Sequence, residues 1–220
     1  MNRSTPIGLC VFVVVAISTT FYWQSRDWNS ASRLMLTYAL VDRGTVSIDG
    51  LEQQTGDRAT WAGHAYSDKL PGFAMLAVPP YLLMKGVLRL PDHPTDQPGF
   101  AYWPTDYLIT FTTSGLSLAL TAALLAGAAL RLGCTPRASL IVALGFAWCT
   151  PAFVYGTLAY GHLPAGLFLL FAMLIEIRAG PTNWTFTRTL AMGFALTMPL
   201  VIELQVAPVC GILASPLLVD

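Results

Sequence analysis

The stretch Gly63-His64-Ala65-Tyr66-Ser67-Asp68-Lys69-Leu70-Pro71-Gly72 ends a polar segment and opens an apolar run. A lysine at the mouth of an apolar helix presents a compact positive charge, suited to hold a phosphate and to stabilise negative charge growing on it. Asp68 beside it either pairs with Lys69 or orients a reacting group. A carboxylate can take a proton as general base, and Asp27, Asp49 and Asp57 are the candidates. Asp49 and Asp57 sit beside glycines, as turn residues do. Asp27 stands just before a predicted helix that carries Arg33, which either binds a phosphate or hydroxyl or lies on a solvated face. His64 and His162 offer hydrogen-bond donors or metal ligands, but two widely spaced histidines make weak metal evidence. No metal ligand set is assigned; a divalent ion is a minority reading. Glu203 lies within an apolar run, where an ionisable side chain is a functional candidate by default.

The elements that carry these residues are those of a membrane protein. Hydrophobic residues make up 55% of the 220 and charged ones 11%, against about 25% charged in an average soluble domain. The formal net charge is zero, which gives no electrostatic case for nucleic acid. No Gly-rich phosphate loop is present, so nucleotide use has no support. Cys10, Cys134, Cys149 and Cys210 are far apart, form no CxxC pair and read as small hydrophobes rather than as a disulfide framework.

Residues 6–23 form the first predicted span, ending in Phe21-Tyr22-Trp23 as expected at a membrane interface. A cleaved leader is the rival reading, because Ala16-Ile17-Ser18 resembles a small-residue cleavage site, but the apolar run continues past it. Residues 24–72 hold 11 of the 24 charged side chains; such a loop lies in water or lines a wet cavity, since isolated charges are costly in hydrocarbon. Within it, Ser30–Arg43 predicts a short amphipathic surface helix, capped by Asn29 or Ser30 and stopped at Gly44. Thr45–Ile48 predicts a short strand, followed by turns at Asp49-Gly50 and Gly56-Asp57.

Residues 73–219 read as a helical bundle. Phe73–Leu90 is interrupted by Pro79-Pro80 and either spans or re-enters. Pro91–Pro104 is a loop with Asp92, His93 and Asp96. Tyr107–Leu130, Ser139–Tyr155 and Leu163–Ile177 are spans, and Thr189–Val219 is an apolar run broken by prolines. Ala119, Ala123 and Gly127 recur every four residues, a spacing that lets helices approach closely. The whole is expected to be one all-α polytopic membrane domain, residues 1–220, with about five to six transmembrane helices. Arg131, Arg137, Arg178 and Arg188 fall in short loops that the positive-inside rule assigns to the cytoplasm, which puts Gly161-His162 outside. With the amino terminus inside, the large first loop is outside as well when Phe73–Leu90 re-enters, whereas a crossing there would set the two basic loops outside, against the rule.

In its order of features the chain resembles the GT-C class of integral-membrane glycosyltransferases, nearest the protein-mannosyltransferase and aminoarabinose-transferase group. In that group a first span is followed by an outer loop with an acidic residue, an Arg on a surface helix, a short strand and a Tyr-Phe-Glu-Lys-Pro-Pro type motif. Here Ser32-Arg33, Thr45–Ile48 and Tyr66-Ser67-Asp68-Lys69-Leu70-Pro71 stand in those places. The resemblance covers roughly residues 6–178, its specific part residues 29–72. The acidic pair that usually precedes the helix Arg is replaced by Asn29 and Ser30, with Asp27 the nearest carboxylate. Chains of that class are also usually much longer, so this one reads as an amino-terminal part. The resemblance implies an enzyme that moves a sugar from a polyprenyl phosphate to a glycan, lipid or protein acceptor at the outer face of a bacterial inner membrane. It makes Lys69 the phosphate binder, with Arg33, His64, Tyr66 and His162 around the substrate and a carboxylate among Asp27, Asp49, Asp57 and Asp68 in catalysis. The competing readings are a transporter or channel component with Glu203 on an ion path, and a non-catalytic membrane assembly protein.

Overall fold

A computed structural model of the protein describes residues 4–24, 27–89, 103–180 and 183–215. It is mostly helical with one small two-stranded sheet. The predicted loop at Pro91–Pro104, with Asp92, His93 and Asp96, lies outside the described residues up to position 102, as does the end of the last apolar run.

The first apolar run forms α1, Ser4–Phe21. Its Val11 and Val15 are buried against α5, Leu116–Arg131, through Leu118, Ala119 and Ala122. Gly8 lies against the Ala123 carbonyl and Thr19 against Gly115, so the two helices run antiparallel. The small residues of α5 permit this approach. Upstream of α5, α4 (Trp103–Thr110) enters through a π turn at Phe111–Gly115, and Pro104–Arg131 is continuously helical over 28 residues. The return helix α6, Pro136–Cys149, starts on a Thr135 side-chain cap with proline in its first turn, where the missing N–H costs nothing. It stops at Thr150-Pro151, and the predicted span to Tyr155 is completed by a separate short helix α7, Ala152–Gly156. Next come α8, His162–Ala179, and α9, Phe186–Ile202, which pack together through Ala172, Met192 and Ala195. After α9 the chain breaks at Glu203 and resumes as α10, Ala207–Ala214.

Pro104–Arg131 and His162–Ala179 are the two described helices long and apolar enough to cross a membrane by length and composition. The remaining apolar helices are shorter, so the expected count of five to six spans stands as two in the described residues.

The polar segment is built differently from the expectation in two respects. The predicted surface helix is α2, Trp28–Tyr38, extended by a π turn at Ala39–Arg43 and stopped at Gly44 in the left-handed region. Its cap is Asp27, whose Oδ1 accepts the Ser30 amide at 2.7 Å, rather than Asn29 or Ser30. It does not lie on a surface: every residue from Ser30 to Tyr38 is buried. The second difference concerns the strand. Thr45–Ile48 forms only an isolated bridge, Ser47 to Tyr66, and Ile48 is used as a buried anchor of the core. The regular strands are β1, Arg58–Trp61, and β2, His64–Ser67, an antiparallel hairpin pairing Arg58 with Ser67 and Trp61 with His64. Its two-residue turn, Ala62-Gly63, has positive φ at both positions, the geometry that matches the twist of paired strands.

Phe73–Leu90 forms α3, Gly72–Leu88, continuous through Pro79-Pro80. It follows α2 along its length: Arg33 lies over the Phe73 ring, Tyr38 packs edge-on to Tyr81, and Asp42 accepts bonds from Tyr81 and Lys85. These pairings run in the same order on both helices, so α3 and α2 are parallel neighbours around the core of Leu34, Met35, Tyr38, Phe73 and Tyr81.

Candidate functional site

Asp27 and Arg33 of the first loop meet Tyr160, His162 and Glu203 at one end of the bundle. Arg33 is the centre. Its side chain is 3% exposed and its Nη2 donates to Glu203 Oε1 at 2.6 Å, while Nε donates to Asn29 Oδ1 at 3.0 Å. Burying a guanidinium is tolerable when it is paired and hydrogen-bonded, and the break after α9 supplies the carboxylate. His162, the first residue of α8, brings Nδ1 to 3.2 Å from the same Glu203 oxygen. Burial holds the Arg33 pKa below its usual value, opposed by the neighbouring Glu203 charge. One atom of this arrangement is unsatisfied: Arg33 Nη1 is buried and has no hydrogen-bond partner among the described residues.

Two glycines make this convergence possible. A Cβ on Gly161 would come within 2.5 Å of Glu203 Oε1 and 2.6 Å of Ile202 Cγ2, and one on Gly72 would meet the Val201 carbonyl oxygen at 2.6 Å. The starts of α3 and α8 are thereby pressed onto the break that follows α9.

Asp27 and Tyr160 flank Arg33 on one side. Tyr160 donates its hydroxyl to Asp27 Oδ2, and its ring packs against His162, as does that of Tyr155. Burial acts to raise the Asp27 pKa, but the bonds from the Tyr160 hydroxyl and Ser30 outweigh it and leave the carboxyl below its ordinary value. Tyr160 in turn is pushed upward by burial and by the Asp27 charge.

Lys69 follows the end of β2 by two residues. Its Nζ is 2.9 Å from Asp57 and 3.3 Å from Asp68. Burial works to lower the Lys69 pKa, and these two carboxylates more than offset it. The bond between Ser32 Oγ and Ser67 Oγ, 2.7 Å, ties α2 to the end of β2. The Asp68 charge, one residue past β2, acts on the Arg33 guanidinium.

The remaining sequence candidates have other work. Asp49 accepts the Ala65 amide at 2.7 Å and pairs with His64 Nδ1 at 2.6 Å. The Ala65 amide first, and His64 second, lower its pKa to about 2. That geometry fastens the hairpin to the preceding turn. His64 and His162 go to separate carboxylates and are not brought together. Tyr66 is half-buried in β2, opposite Ala59 in register. Among the described residues no group of three His, Cys, Asp or Glu side chains could hold a metal ion. Sequence reasoning missed Tyr160 as the partner of Asp27, and it missed two further polar contacts, Tyr38 to Asp106 and Lys85 to Asp42. Lys85 and Asp42 both flank apolar stretches, a signal that a paired charge search along the sequence would have raised.

Comparison with protein-family models, with curated proteins and with solved structures gives no match to this chain.

Proposed function

We propose that this chain is a multi-pass glycosyltransferase of a bacterial inner membrane, or the amino-terminal part of one, that moves a sugar from a polyprenyl phosphate to an acceptor at the outer face. The observation that carries the reading is that two cations, Lys69 and the buried Arg33 with its unsatisfied Nη1, stand on the two segments that the Ser32–Ser67 bond ties together. A membrane setting is further supported by the outward faces of the helices. Leu9, Val13, Ile17, Ile141, Val142, Met173, Ile177, Leu190 and Phe194 are all exposed, an apolar exterior larger than soluble proteins ordinarily show.

In this reading Lys69 takes the lipid phosphate and the buried Arg33 guanidinium lends a second positive charge behind it. Asp27, held by Ser30 and Tyr160, is the base that accepts the acceptor's hydroxyl proton. The proton moves to a carboxylate oxygen, the acceptor oxygen bonds to the sugar's anomeric carbon, and the carbon–phosphate oxygen bond breaks with its electron pair staying on the phosphate. Three functions of that step, base, phosphate clamp and charge stabiliser, thus have separate residues.

Lys69 starts out engaged by two carboxylates, so an incoming phosphate must displace one. That competition gives the test. Binding of a labelled polyprenyl phosphate to purified protein should weaken by an order of magnitude or more in Lys69→Ala, and should tighten in Asp57→Asn, which removes a competitor for Nζ. Equal binding by wild type and Lys69→Ala sinks the phosphate role.

One observation favours a second reading. Glu203 sits at a helix break inside an apolar run, joined to Arg33 and His162, and broken helices bearing ionisable groups are a feature of transporter ion sites. Solute or ion flux into liposomes that Glu203→Gln abolishes, with no label transferred from a lipid-linked sugar, would favour that alternative.

A further inference from the structure

At the end of the bundle opposite Arg33, α5 and α8 lie side by side and leave a cleft of about 170 Å³ between them. Ala123 and Gly127 of α5 and Phe171 and Leu174 of α8 form apolar walls, and Arg131 and Arg178 stand at its mouth. Both arginines are exposed and occupy the last turns of their helices. Neither makes an ion pair among the described residues. Glu176 does not line the cleft.

We propose that this cleft binds an anionic phospholipid, with an acyl chain on the apolar walls and the headgroup phosphate on Arg131 and Arg178. The argument is one of complementarity. Guanidinium groups present planar donor forks that match phosphate oxygens, and basic pockets between membrane helices suit anionic headgroups. A free phosphate would use the arginines but leave the apolar walls unexplained. A zwitterionic lipid would set its own cation against two arginines with no carboxylate to offset it. Gly127 is open to the cleft: an added Cβ there would meet no atom within 4 Å, so the space can be filled by substitution without a clash in the bundle. The proposal rests on the bilayer placement of α5 and α8 and takes nothing from the glycosyl-transfer reading.

The test is native mass spectrometry of the full chain in a non-ionic detergent, offered equal amounts of dioleoyl-phosphatidylglycerol and dioleoyl-phosphatidylcholine. Wild type should retain one phosphatidylglycerol with a preference of about tenfold or more. Arg131→Ala/Arg178→Ala should bring the two lipids to parity, and Arg131→Lys/Arg178→Lys, which keeps both charges, should keep most of the preference. Gly127→Leu should reduce retention of either lipid by filling the cleft. Parity in the wild type overturns the proposal, as does a preference unchanged in the alanine pair or retention unchanged in Gly127→Leu. If the alanine pair does not fold, the lysine pair and Gly127→Leu decide. Inorganic phosphate bound through the same arginines, with no lipid retained, replaces the lipid by a free anion and also overturns it. Lys69→Ala should leave lipid retention untouched, so failure here is distinct from failure of the transferase reading.

Discussion

Asp27 shows how one carboxylate can be prepared for proton transfer by its neighbours. Its Oδ1 is spent on the Ser30 amide and its Oδ2 receives the Tyr160 hydroxyl, yet each oxygen keeps a second lone pair for an acceptor hydroxyl. Partial burial raises its pKa, and the bonds from Tyr160 and Ser30 bring it below the ordinary value, so the group is ionised throughout the neutral range. Tyr160→Phe removes one of those stabilising donors while keeping the ring. The Asp27 pKa should therefore rise, and any activity that needs the ionised carboxylate, present above that pKa and lost as pH falls through it, should lose its acid limb at a higher pH than in the wild type. The carboxylate infrared band, titrated with Asp27→Asn as the blank, reads the shift without an activity assay. A Tyr160→Phe titration superimposable on the wild type would remove Tyr160 from this role. The sequence carried Asp27 as a candidate because of its place before a helix. It could not carry Tyr160, because the two are 133 positions apart and meet only when α8 is docked.

The elements divide into those whose periodicity declared them and those decided by distant partners. Apolar runs long enough for burial or a bilayer were legible: α1 and α8 begin and end within a few residues of their expected bounds, as does the continuous helix Pro104–Arg131, whereas the last run, expected over Thr189–Val219, is cut at Glu203 after α9. The helix α2 was placed correctly but given the wrong environment. A surface helix would leave Ser30, Ser32, Arg33 and Thr37 to water, whereas the chain buries all four; Ser32 bonds to Ser67, Arg33 Nη2 to Glu203 and Thr37 to the Arg33 carbonyl. Hydrogen bonds across 35 and 170 positions leave no local trace. The hairpin was missed for a related reason: all four residues of β1 are exposed, so no apolar alternation marks it, and its turn is Ala-Gly rather than the Asn-Gly that signals such turns. The glycines at element starts can be tested by substitution. Gly161 has φ of −74°, which any residue adopts, so Gly161→Ala probes crowding alone. It should destabilise by about 1–3 kcal/mol through contact with Glu203 and Ile202. Gly166→Ala, inside α8 with no atom within 4 Å of the new Cβ, should instead stabilise by up to about 1 kcal/mol. Thermal denaturation of both variants in one detergent checks the sign of each, and equal shifts would mean that the Gly161 contact is not a tight one.

At the scale of the whole molecule, the two ends of the bundle differ in chemistry, and that difference predicts an orientation. Arg131 and Arg178 line one cleft, and Arg137 and Arg188 begin the helices that return from that end. The opposite end holds Lys69, Arg33 and Glu203 among carboxylates and histidines. The arginines in the short connections at the first end, against none in the Tyr155–His162 connection at the other, predict that the first end is cytoplasmic and that the hairpin and the Arg33 site face outward. Cys134 offers a native reporter, since it is exposed and lies between Arg131 and Arg137. In a Cys10→Ser, Cys149→Ser, Cys210→Ser background, Cys134 should resist an impermeant maleimide in intact spheroplasts and react after permeabilisation. With Cys134 also changed to serine, Thr60→Cys, on the exposed strand β1, should react in intact spheroplasts. Reversed labelling would place the Lys69 end in the cytoplasm, where transfer to an acceptor on the outer face is sterically closed to it. Labelling of both sites only after lysis, with the protein in the soluble fraction, would remove the membrane from the account altogether. The charge asymmetry that the four arginines create is thus the feature on which both the proposed site and the proposed lipid cleft take their sides.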